Sequence, residues 1–232
     1  ENEHVDIDFE FFDPKPEDFH SLKRLLQGGF GDDAEDFDIS ALADLILDQK
    51  TIGSTVKMET NGEPYALFTV LNMQHHKETK VMQQISAYLL KKAGAKREKL
   101  REILESHTVG LLFNERVVNM PPQIVPPMLR MLMEELEWAV EDGEPYNFDY
   151  YLILAPMYKE TEELESGGRK VGLDAFVHAE DEFIEEFAGI KFDYKFTRSK
   201  RVADSRNSFA DTGLAPSRRC LVVHKSKVKD MI

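Results

Sequence analysis

Apolar and polar positions along this chain follow two periods, one of about two residues and one of about 3.6, and the changes between them mark its elements. Val5, Ile7, Phe9 and Phe11 alternate with Asp6, Asp8, Glu10 and Phe12, which predicts a strand with one wet face, ended by Pro14. Pro16-Glu17-Asp18 opens a helix with acids at the positive end of its dipole, and Phe19, Leu22, Leu25 and Leu26 form the buried stripe. Five acids between Asp32 and Asp38 predict a flexible acidic loop. Ser40 is the expected N-cap of a short helix carrying Leu42, Leu45 and Ile46. Ser54–Glu59 and Tyr65–Leu71 read as strands of a hairpin turned at Asn61-Gly62. Lys80–Lys92 and Lys96–Glu105 read as helices.

The stretch from Thr108 to Gly143 organises the rest. Val109 to Phe113 is an almost wholly apolar run, suited to a strand buried on both faces, and Asn114, Glu115 and Arg116 are expected to break it. Pro121-Pro122 and Pro126-Pro127 follow. Proline suits the first turn of a helix and not its middle, so the helix is expected from Pro126 or Pro127 to Asp142, with Pro122 opening a separate short turn. Met128, Leu129, Leu132, Leu136, Ala139 and Val140 make its apolar stripe, and Gly143 stops it. Phe148–Pro156 is a second apolar strand. Tyr158–Lys170 reads as an exposed, mobile insertion, Leu173–Val177 as a strand, Glu180–Ala188 as a short acidic helix and Ile190–Phe196 as an alternating strand. Ser199–Ser217 reads as irregular, and Cys220–Val223 as the strand that closes the sheet. Together these elements predict an α/β domain with a mixed central sheet flanked by helices.

Charge changes this picture more than length does. The chain has 232 residues and a net charge of −14, unevenly placed: Glu1–Ser40 carries −10, Ala41–Met133 +3, Glu134–Glu186 −14 and the remainder +7. A surface so acidic repels nucleic acid and attracts basic proteins. Solubility alone is the plainer explanation of such a charge. Lys91–Arg101 is locally basic but has no aromatic residue for stacking on bases, so a solvated helix face is expected. No window has the apolar length of a membrane span, and no secretory leader opens the chain; because it starts at Glu1 rather than Met, further residues upstream are expected. One cysteine, Cys220, forbids an internal disulfide and fits a reducing compartment.

The motif Asn114-Glu115-Arg116-x-x-Asn119-x-Pro121-Pro122-x-x-x-Pro126-Pro127 resembles the signature of the BCCIP family of nuclear proteins. Val5–Pro14 (VDIDFEFFDP), Leu42–Leu47 (LADLIL) and Tyr65–Asn72 (YALFTVLN) match the same family in the same order, so the resemblance spans most of the chain. It implies a single domain over residues 1–232 with a fold like that of GCN5-type (GNAT) acetyltransferases, without their activity. It also implies a chaperone and adaptor that shuttles between nucleus and cytoplasm. The expected client is a basic large-subunit ribosomal protein (number fourteen in the universal naming, twenty-three in the yeast naming). Cell-cycle, DNA-repair and nuclear-export cargo proteins are further partners the resemblance implies.

The candidate chemistry is sparse. Acetyl-CoA binding needs a glycine-rich loop whose amides grip pyrophosphate at a helix N-terminus, and Asn114–Pro127 has four prolines and no glycine. Neither an acetyl-CoA site nor any other cofactor is therefore expected. Gly28-Gly29-Phe30-Gly31 lacks the Lys-Ser/Thr ending of a phosphate loop, and His75-His76 lacks further ligands at zinc spacing. His107 and His178 are each placed to act as a base in a cleft, with a structural role the expected one, and Cys220 is expected to be core. No catalytic or metal residue is assigned. For partner binding the candidates are Trp138, the only tryptophan, and the acids around it, Glu134, Glu135, Glu137 and Glu141; aromatic anchors ringed by polar groups are common interface hot spots. Packing of Trp138 against the sheet is the competing possibility. The motif residues Asn114, Glu115, Arg116, Asn119, Pro121, Pro122, Pro126 and Pro127 are expected to fasten the strand end to the helix start.

Overall fold

The computed structural model describes residues 9–163, 169–198 and 214–228. In chain order the elements are β1 (Glu10–Phe12), α1 (Phe19–Phe30), α2 (Ile39–Leu47), β2 (Ser54–Lys57), β3 (Ala66–Asn72), α3 (Lys80–Lys92), α4 (Arg97–Ser106), β4 (Val109–Arg116), α5 (Val125–Glu141), β5 (Tyr150–Glu163), β6 (Arg169–Phe176), α6 (Ala179–Phe187), β7 (Ala188–Tyr194) and β8 (Leu214–His224). The strands form one eight-stranded sheet in the order β1-β2-β3-β4-β5-β8-β7, with β6 paired to the far half of β5. The β4–β5 pairing is parallel and the other pairings are antiparallel.

Alternation along the central strands sends side chains into two separate cores. Leu111 and Phe113 of β4, Leu152 and Leu154 of β5, and Cys220 and Val222 of β8 pack with α1–α4. Leu112, Tyr151, Ile153, Leu221 and Val223 face the other way and pack against α5, with Ile184 and Phe187 of α6 at the margin. Met128, Leu132, Leu136 and Ala139 are the buried face of α5; each large side chain so buried contributes on the order of 1.5–3 kcal/mol. The result is a mixed α/β domain with helices on both faces of its sheet. No helix among the described residues is long and apolar enough to cross a membrane.

The parallel pair is short. β4 and β5 are in register from Val109–Tyr150 to Leu112–Ile153 and then part. β4 continues to Arg116 on β3 alone, whereas β5 continues on β8 and β6. Asn114-Glu115-Arg116 therefore does not end the strand, as its polarity suggested. Pairing with Ala66, Leu67 and Phe68 carries the backbone, the Asn114 and Arg116 side chains meet Glu180, and the Glu115 side chain packs against Gly29 of α1.

Other expectations are also corrected. Asp38, not Ser40, caps α2, its carboxylate accepting the Ala41 N–H at 3.1 Å. The acidic stretch after α1 is a 3-10 turn, Gly31–Asp36, built around buried Asp33. Asp33 accepts hydrogen bonds from the Tyr88 hydroxyl and the backbone N–H groups of Thr197 and Arg198 at 2.7–2.8 Å, with Lys92 Nζ at 3.5 Å. The Tyr158–Lys170 segment is strand at both ends, as β5 and β6, and residues 164–168 lie outside the described residues. β8 does not close the sheet but lies between β5 and β7, and it begins at Leu214, inside the stretch read as irregular. The expected positions Val5 to Asp8 and 199–213 fall outside the described residues.

Candidate functional site

α5 begins with a proline-shaped entry. Asn119 takes φ 77, a left-handed conformation that asparagine tolerates better than most residues, and the Met120 N–H donates to the Val117 carbonyl at 3.2 Å. Pro121 is extended, Pro122 starts a 3-10 turn that runs to Ile124, and Pro126 and Pro127 lie in the first helical turn of α5. The first-turn amides that a proline lacks have no intrahelical acceptor in any case, so the helix starts without loss.

Beyond the buried stripe, the outer face of α5 presents Glu134, Glu137, Trp138 and Glu141 to solvent. Trp138 is 62% exposed and does not pack against the sheet. Glu135 differs from its neighbours. It turns to the flank and accepts the Gly53 N–H at 2.7 Å, where burial raises its carboxyl against the lowering effect of that bond. Four of the five partner-binding candidates thus share an exposed surface, and Glu135 ties α5 to the turn before β2.

The end of β4 uses both of its faces. Asn114 and Arg116, two residues apart, point to the first turn of α6. Arg116 forms a bidentate pair with Glu180, Nη2 donating to Oε2 at 3.1 Å and Nη1 to Oε1, and Asn114 Nδ2 donates to the same Oε1 at 2.8 Å. The Arg116 side chain is only 6% exposed. Burial raises the Glu180 carboxyl, but the Arg116 and Asn114 hydrogen bonds outweigh it and hold the group below its ordinary range. Glu115 points the opposite way, against α1, where a Cβ at Gly29 would collide with its Oε1. Burial pushes the Glu115 carboxyl up to about 7, opposed by Arg218 and Arg116. Arg218 itself caps α1, donating to the carbonyls of Gly29 and Gly28 at 2.8 and 2.6 Å.

These groups line a cleft of about 700 Å³ whose walls include Glu115, Arg116, His178, Arg218, Tyr65 and Phe196. His178 Nδ1 lies 3.6 Å from Asp181 Oδ2, and both residues are buried. Burial raises the Asp181 carboxyl. Glu180, Arg218 and Asp181 were not legible as partners, because nothing in local spacing marks a contact made across the sheet. Cys220 is fully buried and its thiol is pushed far up, so it has no thiolate character at neutral pH. His75 and His76 contact each other edge to face, and no group of three or more His, Cys, Asp or Glu among the described residues is placed to hold a metal.

The family model described as BCCIP matches residues 4–184. The chain belongs to the BCCIP family. Among curated relatives, Protein bcp1 of Aspergillus fumigatus is 40% identical over 245 residues, covering 97% of this chain and 84% of that protein. Protein bcp1 of Schizosaccharomyces pombe is 38% identical over 251 residues, covering 98% and 88%. The crystal structure of BCP1 from Saccharomyces cerevisiae superposes with a TM-score of 0.73 at 25% identity, covering all of this chain and 88% of that one. The matched residues span the NERxxNxPPxxxPP stretch, the Arg116–Glu180 clamp and the proline entry to α5.

Proposed function

We propose that this BCCIP-family protein is a non-enzymatic acidic chaperone and adaptor that masks the basic face of a nuclear client. The client class is a large-subunit ribosomal protein, the one numbered fourteen universally and twenty-three in yeast, escorted between cytoplasm and nucleus during ribosome biogenesis. The observation that carries this is the outer face of α5, where exposed Trp138 stands among exposed Glu134, Glu137 and Glu141. Carboxylates attract a basic surface over a range of ~8 Å at physiological salt, and a packed aromatic supplies what screened charge cannot. When rRNA competes for the same basic face, the acidic surface withdraws.

Acetyl transfer is disfavoured, although β4 and β5 part before α5 begins. Pro126 and Pro127 remove two amides from the start of α5, and Arg116 is engaged by Glu180. A pyrophosphate would find no amide cradle there, and Arg116 is not free to meet it. The test is co-purification from nuclear extract at moderate salt. Enrichment of the basic ribosomal protein is expected. Recovery of cell-cycle or repair proteins with no ribosomal protein would overturn the proposal in favour of a scaffold.

A further inference from the structure

We infer that the trough between α5 and α6 is the docking site for an amphipathic basic helix of the client, with an apolar residue seated on its floor and lysines or arginines on its rim. This rests on the chaperone role above and names a surface for it.

α5 carries more apolar surface than its packing consumes. Beside the buried row of Met128, Leu132 and Ala139 runs a second row, Leu129, Met133, Leu136 and Val140, spaced four, three and four residues apart, of which Leu136 is buried and the other three are partly or fully exposed. This second row forms the wall of two adjoining hollows. One, of about 260 Å³, is floored by Leu112, Ile153 and Val223 and bounded across by Phe183 and Ile184 of α6. The other, of about 490 Å³, reaches Val140, Tyr146 and Phe148. The hollows share Met133, Tyr151 and Val228, so they form one trough along α5. From Leu129 to Val140 it extends for about 17 Å, the length of three helical turns. Phe183 at one lip is 47% exposed and Val140 at the other is 40% exposed.

The occupant follows from the rim. Exposed Glu137 and Glu141 stand beside Val140 on α5, and exposed Glu182 and Glu186 flank Phe183 on α6. Of the cations among the described residues that line the hollows, Lys225 is held by Asp149 at 3.1 Å and Arg130 stands at the rim. An apolar floor between two acidic helices complements a helix with apolar residues at i, i+4 and i+7 and basic residues elsewhere. A second copy of this chain would bring like charges together, since Glu134–Glu186 carries −14. An anionic membrane surface would be repelled for the same reason. Trp138 lies on the opposite flank of α5 and lines neither hollow.

The test uses the full chain and two labelled synthetic helices of equal positive charge, each of about 18 residues, long enough to form helix. One is Lys/Leu with leucine every three or four positions, and the other has alanine for leucine. Fluorescence anisotropy at physiological salt should show the Lys/Leu helix binding about tenfold or more tightly than the Lys/Ala helix. Phe183→Gln and, separately, Met133→Gln should bring the Lys/Leu helix to the Lys/Ala level while leaving Lys/Ala binding unchanged. Both positions are partly exposed, and a melting curve confirms folding. Trp138→Ala should preserve the difference between the helices. Equal binding of the two helices, or a preference that survives both trough variants, overturns the trough but not the acidic chaperone. Failure of both helices to bind at any salt overturns both.

Discussion

Arg116→Ala separates a clamp from a recognition residue. The guanidinium is 6% exposed and the Glu180 carboxylate 17% exposed, so the pair is largely desolvated. Removing one partner of a buried pair costs about 3–5 kcal/mol, because the other charge is left without compensation. Asn114 still donates to Glu180 at 2.8 Å, which places the expected loss near the lower end, about 3 kcal/mol. For a domain of this size each kcal/mol lowers the melting temperature by about 2–4 °C, so a fall of about 6–12 °C is expected. The pH dependence has a definite sign. The Glu180 carboxyl is held below its ordinary 4.5 in the folded state. Its contribution is therefore complete above pH 4.5 and disappears as pH falls through the folded value. The gap between wild type and variant should narrow over that acid range. Arg116→Met with Glu180→Leu should recover most of the loss, since apolar replacement of a whole buried pair is often neutral. Scanning calorimetry from pH 3 to 8 is the assay. A variant melting within about 2 °C of wild type at neutral pH would refute the clamp and free Arg116 for a partner.

Four further outcomes are expected. Glu115 has a folded pKa of about 7 against an ordinary 4.5, so stability should fall as pH rises between those values and level off above; Glu115→Gln should flatten that slope in urea melts. Lys57 and Asp18, at 2.6 Å, are both nearly fully buried. Asp18→Ala should cost about 3–5 kcal/mol in chemical denaturation, and an unchanged midpoint would show the pair to be dispensable. Reversal of exposed Glu134, Glu137 and Glu141 to lysine should slow association with a basic client in stopped-flow traces and flatten its salt dependence, while the melting temperature holds. Titration calorimetry with acetyl-CoA to millimolar concentration should show no binding heat; a low-micromolar dissociation constant would revive the enzyme.

What the sequence disclosed about the fold was local. The apolar stripes of α3 and α5, the Asn61-Gly62 turn and the prolines before α5 act within a few residues, and each placed its element within a residue or two of where it lies, whereas Pro16–Asp18 forms a separate 3-10 turn and α1 starts only at Phe19. The N-cap of α2 was misplaced by two residues because Asp38 and Ser40 can both cap, and helix propensity does not choose between them. The strand end at Arg116 was missed because polarity there reflects long-range partners rather than solvent. Arg116 and Glu180 are 64 residues apart, and Lys57 and Asp18 are 39 apart. Only the order of strands brings them together.

The same limit governs how the acidic charge should be understood. Read along the chain, every carboxylate counts toward an attractive surface. In the fold several have internal work: Asp33 organises the turn after α1, Asp18 neutralises Lys57, Glu180 clamps Arg116, Glu135 holds the Gly53 amide, and Asp181 sits beside His178. Their charge is paired or screened within the protein and adds little to the field outside. The outward field comes from a smaller set, of which Glu137 and Glu141 on α5 and Glu182 and Glu186 beside Phe183 on α6 stand at one apolar trough, while Glu134 lies on the Trp138 flank. Net charge alone would make any part of this surface equally fit for a basic client. Subtracting the carboxylates that the fold itself uses still leaves exposed acids on several elements, and on the ridge of α5 and the rim of α6 they coincide with exposed apolar surface. Solubility would be served by negative charge spread anywhere, whereas recognition of a basic amphipathic segment requires this coincidence.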